Sequence, residues 1–193
     1  MANIGLRNAK YNEIDYTTKK YKTLTDSLVP VLGKLIDAKF SENRSDVSLF
    51  ADDTLEEYNN TFTYGTINLT VSDVDDETYA RVKGCTINES EVSESEDDIS
   101  PELGYGHIIT KMINGVRKYK VEFLPRVRIT KINSDAKTKG ENVEFNTVSV
   151  EGKVMALKEN INGIEAGKWR KIKTFNNLDD AKEYLDGLLT PVE

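Results

Sequence analysis

From Asn114 to Gly152 the chain reads NGVRKYKVEFLPRVRITKINSDAKTKGENVEFNTVSVEG, and this stretch narrows the fold more than any other. It opens on Asn-Gly, the pair that most readily supplies the positive φ angles of a tight hairpin turn. It continues as two runs of alternating apolar and polar residues. Tyr119, Val121 and Phe123 fall on one side of the first run, with Lys118, Lys120 and Glu122 on the other. Val127 and Ile129 oppose Arg126 and Arg128 in the second. Side chains alternate across a strand, so the pattern predicts a sheet with one dry face and one charged face. The segment holds no nucleophile, metal cluster or phosphate loop, which points to a protein that works through a surface.

The rest of the chain agrees with a β-rich fold. Its 193 residues suffice for one domain with a sizeable core. A single cysteine, Cys85, excludes an intramolecular disulfide and fits a reducing compartment. Neither a signal-peptide run nor a stretch of membrane-spanning length is present in the sequence. The first 25 or so residues are polar and without a clear period, and are read as an arm ordered on a neighbour or an irregular first strand. Strands are expected from Pro30 to Phe40 with a bulge or close contact at Gly33, from Val47 to Ala51 ending in an Asp52-Asp53 turn, and from Thr61 to Val71. Ser72 and Asp73 as N-caps, acids at Asp75, Asp76 and Glu77, and Gly84 as a left-handed C-cap frame a short helix with Val74, Thr78 and Val82 on one face.

Residues 88–101 read as a mobile acidic loop. After a turn at Ser134–Glu141, strands are expected from Asn142 to about Leu157 and from Trp169 to Phe175, with a Gly-rich loop between them. Leu178, Ala181, Leu185 and Leu188 then recur at helical spacing, and Pro191 ends the helix. The total is seven or eight strands and two helices in one domain, 1–193, a β-sandwich or partly closed barrel with helices at its flank.

Little here supports catalysis. His107 is the only histidine and sits in a strand-like run, and Cys85 lacks a CxxC partner or a nearby histidine. The acids from Asp73 to Glu77 lack the glycine and distal glutamate of a calcium loop, and helix capping accounts for them. No catalytic, cofactor-binding or metal-binding residue is assigned. The net charge of −7 is unevenly spread. Eleven acids against Arg81 and Lys83 give −9 from Ser72 to Glu102, whereas seven bases against Glu122 give +6 from Lys111 to Lys131. Such asymmetry suits copies docking head to tail. The basic residues come from alternating strand faces of an acidic protein, which favours protein contacts over a DNA track.

Four segments carry a family resemblance: SDVSLFADD (Ser45 to Asp53), FTYGTINLTVSDVDDETYARVKG (Phe62 to Gly84), GYGHIITKMINGVRKYKVEFLPRV (Gly104 to Val127) and SDAKTKGENVEFNTVSVEG (Ser134 to Gly152). In series they resemble the major tail proteins of long-tailed bacteriophages, the tail tube subunits found in phages and prophages of Gram-positive bacteria. The chain departs in its acidic loop, more charged than the family's, and at Val148, where a proline is expected.

The resemblance implies a structural virion protein without an active site, assembled in the host cytoplasm. Its hexameric rings would stack around the tape measure protein, between the tail terminator and distal tail proteins, with a lumen that passes DNA without binding it. Phage-tail-like bacteriocins use a similar tube. Candidate ring-to-ring contacts are Asp52, Asp53, Glu56, Glu57, Glu89, Glu91, Glu94, Glu96, Asp97 and Asp98. Candidate subunit-contact or lumen faces are Lys118, Lys120, Glu122, Arg126 and Arg128. An acidic lumen would repel DNA phosphates and keep the passage from becoming a binding site. The alternative is a soluble β-sandwich module binding calcium or carbohydrate through the acidic loop, Tyr105 and Trp169.

Overall fold

A computed structural model of the chain describes residues 2–24, 28–51, 54–88, 91–134 and 147–192. It is mainly β, with two short helices. Its strands are β1 (Ala2–Asp15), β2 (Lys20–Tyr21), β3 (Val31–Gly33), β4 (Leu35–Ala51), β5 (Thr54–Val71), β6 (Thr86–Asn88), β7 (Glu91–Ser93), β8 (Glu102–Ile113), β9 (Val116–Ser134), β10 (Val148–Val154) and β11 (Lys171–Phe175). The helices are α1 (Asp76–Lys83) and α2 (Leu178–Leu189). Nine strands form one antiparallel sheet in the order β2-β1-β8-β9-β10-β5-β4, with β11 added to β9 and β3 to β1. The sheet curls until β1 and β4 lie close without pairing, so the architecture is sandwich-like and open.

The Asn-Gly pair acts as expected: Asn114 and Gly115 both take positive φ, 50° and 77°, and join β8 to β9. The two runs that follow are one strand of 19 residues. Tyr105 pairs with Leu124 and Leu103 with Val127, so β9 carries one residue more than β8 across this interval. That bulge contains Pro125, which has no N–H to give a ladder and sits where a ladder is interrupted. The extra residue inverts the alternation. Val121 and Phe123 therefore enter one apolar cluster, while Leu124, Val127 and Ile129 enter the other.

β8 and β9 are consequently covered on both faces, which corrects the expectation of one dry and one charged face. Every residue from Leu103 to Thr110 is buried, as is every residue from Val121 to Val127. One cluster fills the curl of the sheet, with Tyr11, Leu32, Ile67, Leu69, Val71, Val82 and Val150. The other lies under α2, with Ile14, Tyr21, Leu157, Ile161, Ala181, Leu185 and Leu189.

Several boundaries differ from expectation. The polar N-terminal segment is not an arm: β1 pairs with β8 from Ala2–Met112 to Glu13–Leu103, and its Ala9 and Tyr11 are core residues. Its irregularity comes from register shifts, one of them next to Asn8 at positive φ. The strands expected at Pro30–Phe40 and Val47–Ala51 are β3 and a continuous β4. The close contact at Gly33 is present, since a Cβ there would lie 2.5 Å from the Asp73 carbonyl oxygen. The expected Asp52-Asp53 turn, the Ser134–Glu141 turn beyond Ser134 and the strand segment before Thr147 lie outside the described residues.

Helix α1 starts later than Ser72. Its N-cap is Asp75, which accepts the Thr78 N–H at 2.8 Å, and Gly84 provides the left-handed C-cap. Asp76 and Glu77 follow at the positive end of the helix, where carboxylates are stabilised. Part of the acidic loop is ordered as a β6–β7 hairpin. There Asp98 accepts the Ser95 N–H at 2.7 Å.

Helix α2 is capped by Asn177, and no basic residue lies in its last turn. Its terminal carbonyls are taken by amide side chains from elsewhere: Asn12 Nδ2 donates to Leu189 O at 2.9 Å, and Asn162 Nδ2 to Thr190 O at 2.8 Å. These long-range donors satisfy orphan carbonyls that a helix end must otherwise leave to water.

Candidate functional site

The strand-face candidates divide once the bulge at Pro125 is taken into account. Arg126 is 6 % exposed and grips Glu102 with two bonds, Nε to Oε2 at 2.6 Å and Nη2 to Oε1 at 2.7 Å; Nη1 also reaches Ala156 O at 2.9 Å. Arg128 adds a third bond to Glu102 at 3.0 Å, and the Tyr16 hydroxyl donates a fourth. Burial alone would raise the Glu102 carboxyl, but the Arg126 and Tyr16 hydrogen bonds and the two guanidinium charges outweigh it and hold the pKa at about 2.

Glu122 is buried too. It is ion-paired to Arg170, and Lys120 approaches it at 3.5 Å. Lys118 donates to Asn176. The surface role expected of Glu122 and Arg126 is therefore corrected, because each closes an internal ion pair. Lys118 and Arg128 remain half-exposed.

A different face is open. On β5, Ile67, Leu69 and Val71 point into the core, so Thr66, Asn68 and Thr70 point away from it. The register sets these beside Lys153, Glu151 and Ser149 of β10 and beside Ser41, Lys39 and Asp37 of β4. The helices have their main contacts elsewhere, α1 on β6 and β9 and α2 on β1, β8, β9 and β11. It carries both signs of charge, with Lys39 and Lys153 beside Asp37 and Glu151. Its signal in the sequence was the alternation around Asn68 and Thr70; the missing information was which strands would lie alongside.

Beyond the Glu42–Gly65 pair, β4 and β5 bond only to each other among the described residues, from Asn43–Tyr64 to Ala51–Thr54. This ribbon reaches roughly 30 Å past the sheet at about 3.3 Å per residue. Val47, Leu55 and Tyr58 are exposed on it. Its root is fixed by a three-ring stack, in which Trp169 lies 5.7 Å from Phe40 and 4.2 Å from Phe62 at interplanar angles of 17° and 4°.

Of the acidic candidates, Glu56 and Glu57 are exposed on the ribbon. Glu91, Glu94, Glu96 and Asp97 are exposed around the β6–β7 hairpin, with Glu94 accepting from Tyr79 and Asp98 half-buried. Asp52, Asp53 and Glu89 lie outside the described residues. The structure separates these groups, since the ribbon is at one end of β5 and α1 with the hairpin follows the other end, about 55 Å away along an 18-residue strand.

β9 runs in the same direction as β5, because each pairs antiparallel with β10. The Asn114-Gly115 turn, with Lys111, Arg117 and Lys118, therefore lies at the ribbon end. Lys111, Arg117 and Lys118 thus share the ribbon end with the exposed Glu56 and Glu57, while the acids of the β6–β7 hairpin lie at the other end.

The residues named for a sugar site are engaged elsewhere. Tyr105 is buried, and Trp169 has a ring on each face. His107 is 4 % exposed in β8, where burial pushes its pKa down to about 4 against the opposing pull of Glu122. Cys85 is a free thiol, half-buried. No three His, Cys, Asp or Glu side chains converge to hold a cation among the described residues, and no described helix is long and apolar enough to cross a membrane.

No family model matches the chain. No curated protein matches it. A solved structure of the anti-feeding prophage cap, a tube-terminating cap, aligns with 75 % of this chain and 86 % of its own at 10 % identity and a TM-score of 0.46. That likeness is too slight to support a functional conclusion.

Proposed function

We propose that the chain is a structural subunit of a phage-type tail tube, a major tail protein that forms rings and stacks them head to tail. The observation that carries this reading is the open sheet. β4 is 17 residues long and pairs on one side only among the described residues, beside a polar face away from the main contacts of both helices. A long unpaired edge invites strand pairing with another chain, and a ring of identical copies removes it by giving each edge a partner. The polar face of β4, β5 and β10 is then the lumen wall, small, hydrophilic and mixed in charge, with no basic track to retain DNA.

The four sequence segments resembling tail tube subunits supply the ring of six, the tape measure protein in the lumen and the tail terminator and distal proteins at the tube's ends. The location is the virion tail or a related bacteriocin tube, and the subunit has no active site. The two-ended charge supports stacking: the acidic end, with Glu91, Glu94, Glu96 and Asp97, meets the basic end, with Lys111, Arg117 and Lys118, of the next copy. Reversing Glu94, Glu96 and Asp97 to Lys tests this arrangement. Stacks should fall to single rings, and reversing Arg117 and Lys118 to Glu in the same chain should restore them. Stacks unaffected by either change would refute the polarity.

A further inference from the structure

The tripeptide Ile-Asn-Gly occurs twice in the chain, at Ile113–Gly115 and at Ile161–Gly163. The fold makes the same kind of turn from both. Asn114 and Gly115 take φ of 50° and 77° between the paired residues Ile113 and Val116. Asn162 and Gly163 take 50° and 73° between the bridged residues Ile161 and Ile164. At neither glycine would an added Cβ meet an atom within 4 Å beyond its chain neighbours. Sequence, φ angles and glycine surroundings are matched, and the two carboxamides are what differ.

Asn162 is 8 % exposed, and its side chain is held through both of its polar atoms. Nδ2 donates to Leu188 O at 3.2 Å and to Thr190 O at 2.8 Å, and Oδ1 accepts the Val192 N–H at 2.8 Å. Asn114 is exposed, and its side chain makes no hydrogen bond among the described residues. An asparagine before a glycine can react with its own backbone, because glycine has no side chain to obstruct its nitrogen. The Gly115 nitrogen attacks Cγ of Asn114, the amide nitrogen leaves as ammonia with the N–H proton, and a cyclic succinimide remains. Water then opens the ring at either carbonyl, giving aspartate or isoaspartate.

We propose that Asn114 is a self-modification site, at which the folded chain converts an amide into a carboxylate, and that the hydrogen bonds on Asn162 spare the second turn. The turn conformation cannot make the difference, since both sites share it. The product places a negative charge beside Lys111, Arg117 and Lys118, of which Lys111 and Lys118 lie directly opposite each other. In the isoaspartate form the main chain is also longer by a carbon, within a two-residue turn that sets the β8–β9 register. The inference does not depend on assembly.

The unaltered full-length protein would be held at pH 8 and 37 °C, sampled over several weeks, digested with trypsin and read by mass spectrometry. Trypsin separates the sites into the peptides Met112–Arg117 and Glu159–Lys168. A parallel sample in guanidinium chloride removes the fold, and there the two asparagines should convert at similar rates. In the folded protein the Asn114 peptide should gain the mass difference of acid over amide and split into two chromatographic forms. It should do so at least about tenfold faster than the Asn162 peptide, because Asn162 must first lose its hydrogen bonds. Conversion of Asn114 no faster than that of Asn162 in the folded protein would overturn the proposal. A rate difference of the same size in guanidinium chloride would overturn it too, since the fold would then not select the site.

Discussion

Glu102 accepts two guanidinium groups and a phenol at the point where β8 and β9 leave the bulge, and this gives the fold an acid-sensitive lock. Its folded pKa of about 2 lies below its ordinary value of 4.5. The stabilisation is therefore complete above about pH 4.5 and is lost as pH falls toward 2. His107 acts in the same direction at a higher pH. It is neutral in the fold down to about pH 4, whereas an exposed histidine takes its proton near 6.5, so stability falls as pH drops between these values. Urea midpoints measured from pH 7 to 3 should decline in two stages. Glu102→Gln should cost about 3 kcal/mol at pH 7, because it leaves a buried Arg126 uncompensated, and should flatten the lower stage. At Gly106 an added Cβ would lie 2.4 Å from Leu185 Cδ1. Gly106→Ala should lower stability by about 1–3 kcal/mol by lifting α2, read as a fall in thermal midpoint.

At the scale of elements, much of the fold was legible wherever one local rule decided the outcome. The Asn114-Gly115 turn, the α1 face of Thr78 and Val82, the Gly84 cap and the 178–188 spacing each depend on neighbours in sequence. What was not legible depended on distant partners. Pro125 turns a 19-residue strand over at a bulge, and nothing local says that Glu122 and Arg126 will be buried by meeting Arg170 and Glu102. The N-terminal segment read as an arm or an irregular strand because its polar residues obscure a strand whose buried apolar residues are only Ala9, Tyr11 and Ile14. The sequence marks only Val47–Ala51 and the part of β5 from Thr61 as strand and not residues 54–60 of the ribbon, and the ribbon's independence follows from the end of β10 pairing at Gly65, which sequence does not mark. Because residues 43–48 and 55–60 touch neither core cluster, replacing 46–59 with a two-residue turn should leave thermal stability within about 1 kcal/mol. The same deletion should abolish assembly if the ribbon docks on a neighbour. Circular dichroism and sedimentation velocity on one sample separate the two effects.

For the whole molecule, the central property is an antiparallel sheet that covers both faces of its middle strands and leaves its outer strands unfinished. The side of β4 left unpaired among the described residues, with the polar face beside it, is costly to a lone subunit in solution and useful to a ring. The acids of the β6–β7 hairpin at the α1 end, facing Lys111, Arg117 and Lys118 around the Asn114-Gly115 turn of the next copy, would give the same subunit a direction. Contacts of that kind weaken with ionic strength, since the screening length falls from about 10 Å at 0.1 M salt to about 3 Å at 1 M. Stacking should therefore loosen in high salt, while rings held by strand pairing persist. Negative-stain electron microscopy of the concentrated protein tests the account most directly. Rings of uniform diameter with a central hole, stacked into tubes at low salt and separating at high salt, are the predicted result. Dispersed monomers at every concentration and salt would contradict it.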